Sequence, residues 1–184
     1  MKFTVEEQHV PDVLMILPTV FDDERGYFKE CYHQKDFESF LPGVRFVQEN
    51  ESKSSKGVLR GLHFQTAPHS QSKLIRVVQG EIWDVAVDIR PDSPTYKQFV
   101  AVELTADNHL QLFIPKGFSH GFVVVSEAAI VQYKTDQFYH AESDAGIYPS
   151  DPDLNIPWPV DSSECLLSSK DASLPSLEEL IRNK

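Results

Sequence analysis

Hydrophobic and polar residues alternate with a period of two along the middle of the chain. The clearest case is Glu81–Arg90, where one set of alternate positions holds Trp83, Val85, Val87 and Ile89 and the other holds Ile82, Asp84, Ala86, Asp88 and Arg90. A β-strand points successive side chains to opposite faces, so this segment predicts a strand with Trp83 on one side and Asp84 on the other.

Five further segments are short and rich in the β-branched and aromatic residues that strands favour. They are Lys73–Gln79, Phe99–Leu104, Leu110–Ile114, Phe122–Val125 and Ile130–Lys134. Turn-forming residues separate them, for example Gly80 directly after Gln79 and Gly117 after Lys116. Many short strands with regular turns predict an all-β barrel or sandwich closed by antiparallel pairing.

Helix signals are few. Lys35–Leu41 predicts about two turns, which Pro42 and Gly43 end. Near the C-terminus, Ser176 is a candidate N-cap for a helix with Leu177, Leu180 and Ile181 on one side. The proline-rich segment 148–159 is predicted to be extended or looped. Because no repeat or compositional break divides the chain, residues 1–184 are predicted to form a single, mostly β domain.

Charge and cysteine content narrow the function classes. The formal net charge of −11 disfavours nonspecific binding to nucleic acid or to anionic membranes, although a few Arg and Lys residues in one cleft can still bind a small phosphorylated ligand. The two cysteines, Cys31 and Cys165, have no zinc-binding spacing and form no disulfide framework. With no apolar segment long enough to span a bilayer, the sequence predicts a soluble protein of the cytoplasm.

His63 is the first candidate for chemistry. If Leu59–Gln65 is a strand, alternation puts His63 and Gly61 on one face and Arg60 on the opposite face. Gly61 would then leave open space beside the imidazole of His63. A histidine at the mouth of a barrel can act as a general base, while the competing interpretation is a half-buried structural histidine.

His120 lies in a second motif, Pro115–Gly121, which reads P-x-G-x-x-H as in the second motif of cupin-type barrels. Cupin metal sites also need an H-x-H pair, and none of the seven histidines has another two residues away. The sequence therefore predicts no metal, and His120 is predicted to contact a ligand or to pack in the core.

Tyr133 and Asp171 are further candidates. The phenol of Tyr133 can donate a proton, and the alternative is a strand tyrosine packed in the core. Asp171 can orient an imidazole if the C-terminal tail folds back over the mouth of the barrel. Basic residues that could converge into a diphosphate clamp, or form an ordinary solvated face, are Arg25, Arg60, Lys73, Arg76 and Lys170.

Taken together, these segments resemble the dTDP-4-dehydrorhamnose 3,5-epimerase family from Pro11 to about Leu177. The blocks that carry the resemblance are Phe21–Glu30, Phe46–Asn50, Val58–Gln65, Lys73–Arg76, Asp84–Arg90, Ile114–Phe122, Asp151–Pro152 and Trp158–Pro159. The resemblance implies a cupin-type jelly-roll barrel of antiparallel strands with a few short peripheral helices.

The resemblance also implies an activity that needs no cofactor. The substrate would be dTDP-4-dehydro-6-deoxy-D-glucose, inverted at carbons 5 and 3 to give dTDP-4-dehydro-L-rhamnose. His63 would be the base, oriented by Asp171, while Lys73 stabilises the enolate oxygen and Tyr133 returns a proton to the opposite face.

Binding roles follow from the same resemblance. The residues expected to contact the sugar, the diphosphate or the nucleotide are Arg25, Phe28, Glu30, Gln48, Asn50, Arg60, His120, Tyr139, Asp144 and Lys170. Among them, Phe28 and Tyr139 would be aromatic walls for the thymine base. The resemblance implies a homodimer that exchanges N-terminal strands, in which Arg25 and Phe28 serve the partner's site.

Several positions depart from the family pattern without removing a proposed catalytic group. Glu51 stands where a histidine is common, Ser119 replaces an alanine, and Ser150 replaces an asparagine. Two alternatives therefore stay open: a 3-epimerase of a related dTDP-4-keto-6-deoxysugar, and a cupin that binds a nucleotide sugar without turnover. A metal-dependent cupin enzyme is disfavoured by the missing H-x-H.

Overall fold

The computed structural model describes residues 2–161 and 164–182, and β-strands make up most of its regular secondary structure. Its strands are β1 (Phe3–Glu7), β2 (Leu14–Pro18), β3 (Val20–Asp23), β4 (Gly26–Lys29), β5 (Gln48–Ser55), β6 (Leu59–Gln65), β7 (Lys73–Gln79), β8 (Glu81–Asp88), β9 (Phe99–Thr105), β10 (Gln111–Ile114), β11 (Phe118–Val124), β12 (Ala128–Thr135) and β13 (Asp144–Gly146). Its helices are α1 (Gln34–Phe40), α2 (Ser169–Ala172) and α3 (Leu177–Arg182), with one 3₁₀ turn at Ala141–Ser143.

The strands form two large antiparallel sheets and one hairpin. A six-stranded sheet has the order β1-β2-β10-β7-β12-β5, and a five-stranded sheet has the order β13-β6-β11-β8-β9. Among the described residues, strands β3 and β4 pair only with each other. The predicted all-β jelly-roll class is confirmed. Some consecutive strands, such as β8 and β9, pair with each other, whereas others, such as β7 and β8, lie in different sheets.

The main core joins the inner faces of the two sheets. Ile75 of β7 and Leu112 of β10 pack in the same buried cluster as Ile82 of β8 and Phe122 of β11. The outer face of β8 is also buried, because Val85 packs in a second cluster with residues of the C-terminal segment. The predicted alternation in β8 therefore holds, and each of its faces contacts a separate apolar cluster.

The predicted strands correspond to observed strands, with boundaries that differ by a few residues. The strand predicted at Phe122–Val125 begins earlier, at Phe118, and the one predicted at Ile130–Lys134 extends over Ala128–Thr135. Both predicted helices are present as α1 and α3. The Oγ of Ser176 accepts a bond from the backbone N–H of Glu179 (3.2 Å) while the Glu179 carboxylate accepts one from the Ser176 N–H (2.9 Å), a reciprocal capping box.

The prediction that Arg60 and His63 face opposite ways is wrong because β6 contains a bulge. His63 pairs with His120 and Arg60 with Phe122, so three steps along β6 match two along β11. The extra residue breaks the alternation, and both side chains line the same pocket.

The open space predicted beside Gly61 is also absent. A Cβ at this position would lie 2.5 Å from the Cα of Gly121, and the backbone of Gly61 is at φ +139°. Gly61 therefore lets the backbones of β6 and β11 approach each other at the bulge.

We predict that Gly61→Ala unfolds at lower denaturant than wild type because the added methyl group forces β6 away from β11. The matched control is Gly26→Ala, since Gly26 has a similar φ of +120° but nothing within 4 Å of the added atom. Urea unfolding should show a loss for Gly61→Ala that exceeds the control's by about 2 kcal/mol. Equal losses in the two variants would contradict this account of the close approach.

Candidate active site

A pocket of about 310 Å³ is lined by side chains from both large sheets. The six-stranded sheet supplies residues of β5, β7 and β12, and the five-stranded sheet supplies residues of β6, β11 and β13. Ten of the predicted site residues line it: Gln48, Asn50, Arg60, His63, Lys73, His120, Tyr133, Tyr139, Asp144 and Lys170. The structure also places there side chains that had no predicted role: Ser52, Phe64, Gln65, Gln71 and Phe122.

His63 and Asp171 form a hydrogen-bonded pair at this pocket. The Nε2 of His63 lies 2.7 Å from the Oδ1 of Asp171, a buried residue of the short helix α2. The Oγ of Ser168 accepts the backbone N–H of Asp171 at 3.0 Å, which holds the first turn of that helix. This arrangement fixes the imidazole ring and leaves Nδ1 to interact with a substrate.

The carboxyl of Asp171 stays ionised despite its burial. Burial disfavours the charged form, but hydrogen bonds with the His63 ring and the Gly61 backbone N–H outweigh it and hold the pKa below its ordinary value. A carboxylate beside His63 stabilises the imidazolium that forms when the ring accepts a proton.

Lys73 begins β7 and its side chain is buried beside His63. Its Nζ donates a hydrogen bond to the His63 carbonyl oxygen at 3.1 Å. Burial lowers the pKa of Lys73 to about 8, an effect that the negative charges of Asp84 and Asp144 partly oppose. The ammonium group is therefore mostly protonated at pH 7 and can donate to a developing oxyanion.

His120 is paired with Asp84, a residue to which the sequence assigned no site role. The Nε2 of His120 lies 2.8 Å from the Oδ2 of Asp84, and both side chains are buried. Burial lowers the pKa of His120, against the opposing effect of Asp84. The signal for Asp84 was present in the sequence, because it is a carboxylate on the same face of β8 as the core residues Ile82 and Ala86.

Tyr133 enters the pocket from the sheet that faces His63. It lies on β12 opposite Asn50 of β5. Burial raises the pKa of its phenol, while a hydrogen bond with Asn50 acts in the other direction. The amide of Gln48 in turn donates to the Oδ1 of Asn50 at 3.0 Å. The phenol therefore keeps its proton at neutral pH and can donate it.

Three predicted binding residues form a chain at the rim of the pocket. The Tyr139 hydroxyl donates to the Oδ2 of Asp144 at 3.1 Å, and the ammonium of Lys170 pairs with the same oxygen. These contacts with Asp144 raise the pKa values of both Tyr139 and Lys170. The Tyr139 ring remains 58% exposed, so it can contact a ligand at the mouth.

Three other predicted binding residues lie outside the pocket of their own chain. Arg25 is ion-paired with Asp23 in the exposed β3–β4 hairpin, and Phe28 of the same hairpin is 66% exposed. Glu30 pairs with Lys2 at 2.7 Å. Within one chain, the structure does not bring these side chains to His63.

The residues described in 2–161 and 164–182 contain no group of three or more His, Cys, Asp and Glu side chains arranged to hold a metal ion. Over the same ranges, no helix has both the length and the apolar character needed to cross a membrane.

A family model described as dTDP-4-dehydrorhamnose 3,5-epimerase matches residues 7–179. The chain belongs to the dTDP-4-dehydrorhamnose 3,5-epimerase family. Among similar proteins, the dTDP-4-dehydrorhamnose 3,5-epimerase of Escherichia coli strain K12 is 52% identical over 95% of each chain. The family predicted from the sequence is therefore confirmed.

Solved structures of this family superpose closely on the chain. The dTDP-4-dehydrorhamnose 3,5-epimerase of Bacillus anthracis strain Ames, with TDP and PPi bound, is 47% identical with a TM-score of 0.91, covering 95% of this chain and 99% of that one. The dTDP-6-deoxy-D-glucose-3,5-epimerase of Legionella pneumophila Philadelphia 1, in complex with dTDP-4-keto-L-rhamnose, is 45% identical with a TM-score of 0.92, covering 96% and 93%.

We predict that Lys73 titrates near pH 8 in the folded protein, because its burial disfavours the charged form. Carbon NMR of labelled lysine side chains measures this directly, and the Lys73 resonance is the one that Lys73→Arg removes. A midpoint above pH 10, as in an exposed lysine, would contradict the buried environment described above.

Proposed function

We propose that this protein is an epimerase that inverts carbons 3 and 5 of dTDP-4-dehydro-6-deoxy-D-glucose and forms dTDP-4-dehydro-L-rhamnose. The single observation that carries the mechanism is that His63, which is paired with Asp171, and Tyr133 lie on two different sheets around one pocket. A sugar bound between the sheets then meets a base on one side and a proton donor on the other.

Each inversion proceeds through an enolate. The Nδ1 of His63 removes the proton from the carbon next to the 4-keto group, and the electron pair moves onto the keto oxygen. Lys73 stabilises that oxygen because its buried ammonium donates where negative charge develops. Tyr133 then protonates the same carbon from the opposite side, and the electron pair returns from oxygen to carbon. The substrate's own ketone is the electron sink, so no cofactor is required.

The remaining polar residues of the pocket are proposed to bind the sugar and the diphosphate. A diphosphate needs positive charge, which Arg60 and the rim residue Lys170 supply. The Nε of Arg60 donates a hydrogen bond to the Oγ of Ser54 at 3.0 Å. Gln48, Asn50 and His120 are proposed to contact the sugar hydroxyls. The complexes of relatives with TDP, PPi and dTDP-4-keto-L-rhamnose support a ligand of this class.

We further propose a homodimer in which the β3–β4 hairpin completes the partner's site. The hairpin's aromatic residues Phe21, Tyr27 and Phe28 are 62%, 57% and 66% exposed, and large exposed aromatic surface is typical of interaction sites. In this arrangement the hairpin contacts the partner's substrate through Arg25, Phe28 and Glu30. Within each subunit, the tail that carries Asp171 closes the barrel mouth. Residues 1–184 act as one domain. The two free cysteines fit a reducing cytoplasm.

The decisive experiment is incubation with dTDP-4-dehydro-6-deoxy-D-glucose in deuterium oxide, followed by mass and stereochemical analysis of the product. Two deuterons with formation of the L-sugar are the expected result. One deuteron at carbon 3 would show a 3-epimerase instead, and no deuteron would leave a protein that only binds the nucleotide sugar. His63→Ala should remove both the exchange and the product because it removes the base, and near-normal turnover would overturn that assignment.

We predict that Tyr133→Phe separates exchange from inversion. Product formation should fall by roughly 10²-fold or more because the proton donor is lost, while His63 can still take a proton and return a deuteron to the same face. Deuterium in recovered substrate compared with deuterium in product measures the two processes. The control is Tyr96→Phe, because Tyr96 lies outside the pocket and packs against the second apolar cluster, which contains Val85. Equal loss of exchange and inversion would contradict the two-sided scheme.

A further inference from the structure

The side chain of Gln65 uses its whole amide to join two loops at the pocket mouth. It ends β6, is only 6% exposed and lines the pocket. Its Nε2 donates to the carbonyl oxygens of His69 (2.6 Å) and Phe138 (3.3 Å), and its Oε1 accepts the backbone N–H of His140 (2.7 Å). Both amide hydrogens and the amide oxygen therefore have main-chain partners.

These contacts hold the peptide groups on both sides of Tyr139. The Phe138 carbonyl belongs to the peptide group before Tyr139, and the His140 N–H belongs to the one after it. The Oε1 of Gln48 accepts the N–H of Tyr139 itself at 3.0 Å. With both flanking peptide planes held, the backbone angles of Tyr139 are set, and so is the direction in which its ring leaves the loop.

Two more contacts connect the same loops. The rings of His69 and His140 stack with centroids 3.8 Å apart and planes 10° from parallel. The Nε2 of Gln71 donates to the carbonyl oxygen of Gln137 at 2.7 Å. Gln65 lies at the base of this assembly, since it is the residue that reaches His69 and His140 at once.

We propose that Gln65 is a positioning residue that sets Tyr139, and with it the rim formed by Tyr139, Asp144 and Lys170, for the nucleotide part of the substrate. The proposal rests on the proposed function, in which this rim contacts the nucleotide. It assigns Gln65 to substrate affinity, not to proton transfer, because its amide contacts main-chain groups of the loops.

Only an amide meets the requirements of this position. Glutamate has the same length but, when ionised, only acceptor oxygens, so its carboxylate would face the carbonyl oxygens of His69 and Phe138. Protonation would restore one donor, and the two facing carbonyls would favour the protonated form. Methionine has a similar shape and provides none of the three hydrogen bonds.

The first test uses Gln65→Met, with TDP as the probe in calorimetric titrations. TDP affinity should fall about tenfold or more and KM for the dTDP-sugar should rise similarly, because Tyr139 is no longer oriented, while kcat stays within about threefold of wild type. Affinity within twofold of wild type, or a fall in kcat with KM unchanged, would overturn the proposal.

The second test measures the TDP affinity of Gln65→Glu at two pH values. The ratio of its TDP affinity to that of wild type should be low at pH 8 and should recover severalfold at pH 5, as the new carboxyl gains its proton. A ratio that does not change with pH would overturn the hydrogen-bond donor role. This variant keeps the question answerable if Gln65→Met does not fold.

The matched control is Gln111→Met, because Gln111 is a buried glutamine whose Nε2 also donates to a main-chain carbonyl, that of Cys31 at 2.9 Å, and it does not line the pocket. Its TDP affinity should stay within twofold of wild type. Titration of the wild-type protein with TDP distinguishes failure of the proposed function from failure of the role of Gln65. If it binds no TDP, the proposed function fails, and if it binds TDP as tightly as Gln65→Met, only the role of Gln65 fails.

Discussion

The close contact between β6 and β11 is the constraint on which the site depends. Gly61 and Gly121 bring the two backbones together, and neither position has room for a Cβ atom. The bulge at this contact turns both Arg60 and His63 toward the pocket, although they lie three positions apart along one strand. The proposed base His63 and Arg60, proposed to bind the diphosphate, therefore share one wall because of a backbone feature, not because of side-chain alternation.

Carboxylates, two of them buried and one half-buried, organise the positive and titratable groups of the site. Asp171 holds His63, Asp84 holds His120, and Asp144 holds Lys170. Pairing with Asp84 offsets the cost of burying His120, whereas His63 is partly exposed and Lys170 lies at the exposed rim. In a chain with a net charge of −11, the proposed anionic substrate depends on the cationic side chains that line the pocket, Arg60, Lys73 and Lys170.

The strands and the loops carry different proposed functions of the site. Most of the groups proposed to move protons or stabilise charge lie on paired strands, where packing on both sides holds their positions. The rim residue Tyr139 lies on a loop, and its orientation depends on hydrogen bonds from the side chains of Gln65 and Gln48. Under the proposed roles, substrate affinity depends on the loops while the proposed catalytic groups on the strands keep their geometry.

The sequence by itself determined the fold class, the family and the six strands β7 to β12, but it did not predict the apolar strand β2. Alternation of apolar and polar residues identified β8 because its faces contact different surroundings. It did not identify β5, where Gln48, Asn50 and Ser52 face a polar pocket while Glu49 and Glu51 face solvent, so that both sets of positions are polar.

Only the tertiary structure decided which groups meet. Asp171 lies 108 positions from His63, and Gln65 bonds to Phe138 and His140 of a loop that lies 73 to 75 positions later. The bulge that turns Arg60 toward His63 depends on the approach of β11. The local sequence of Leu59–Gln65 does not predict that approach. Local sequence specifies what each segment can form, whereas the site arises from long-range packing that brings those segments together.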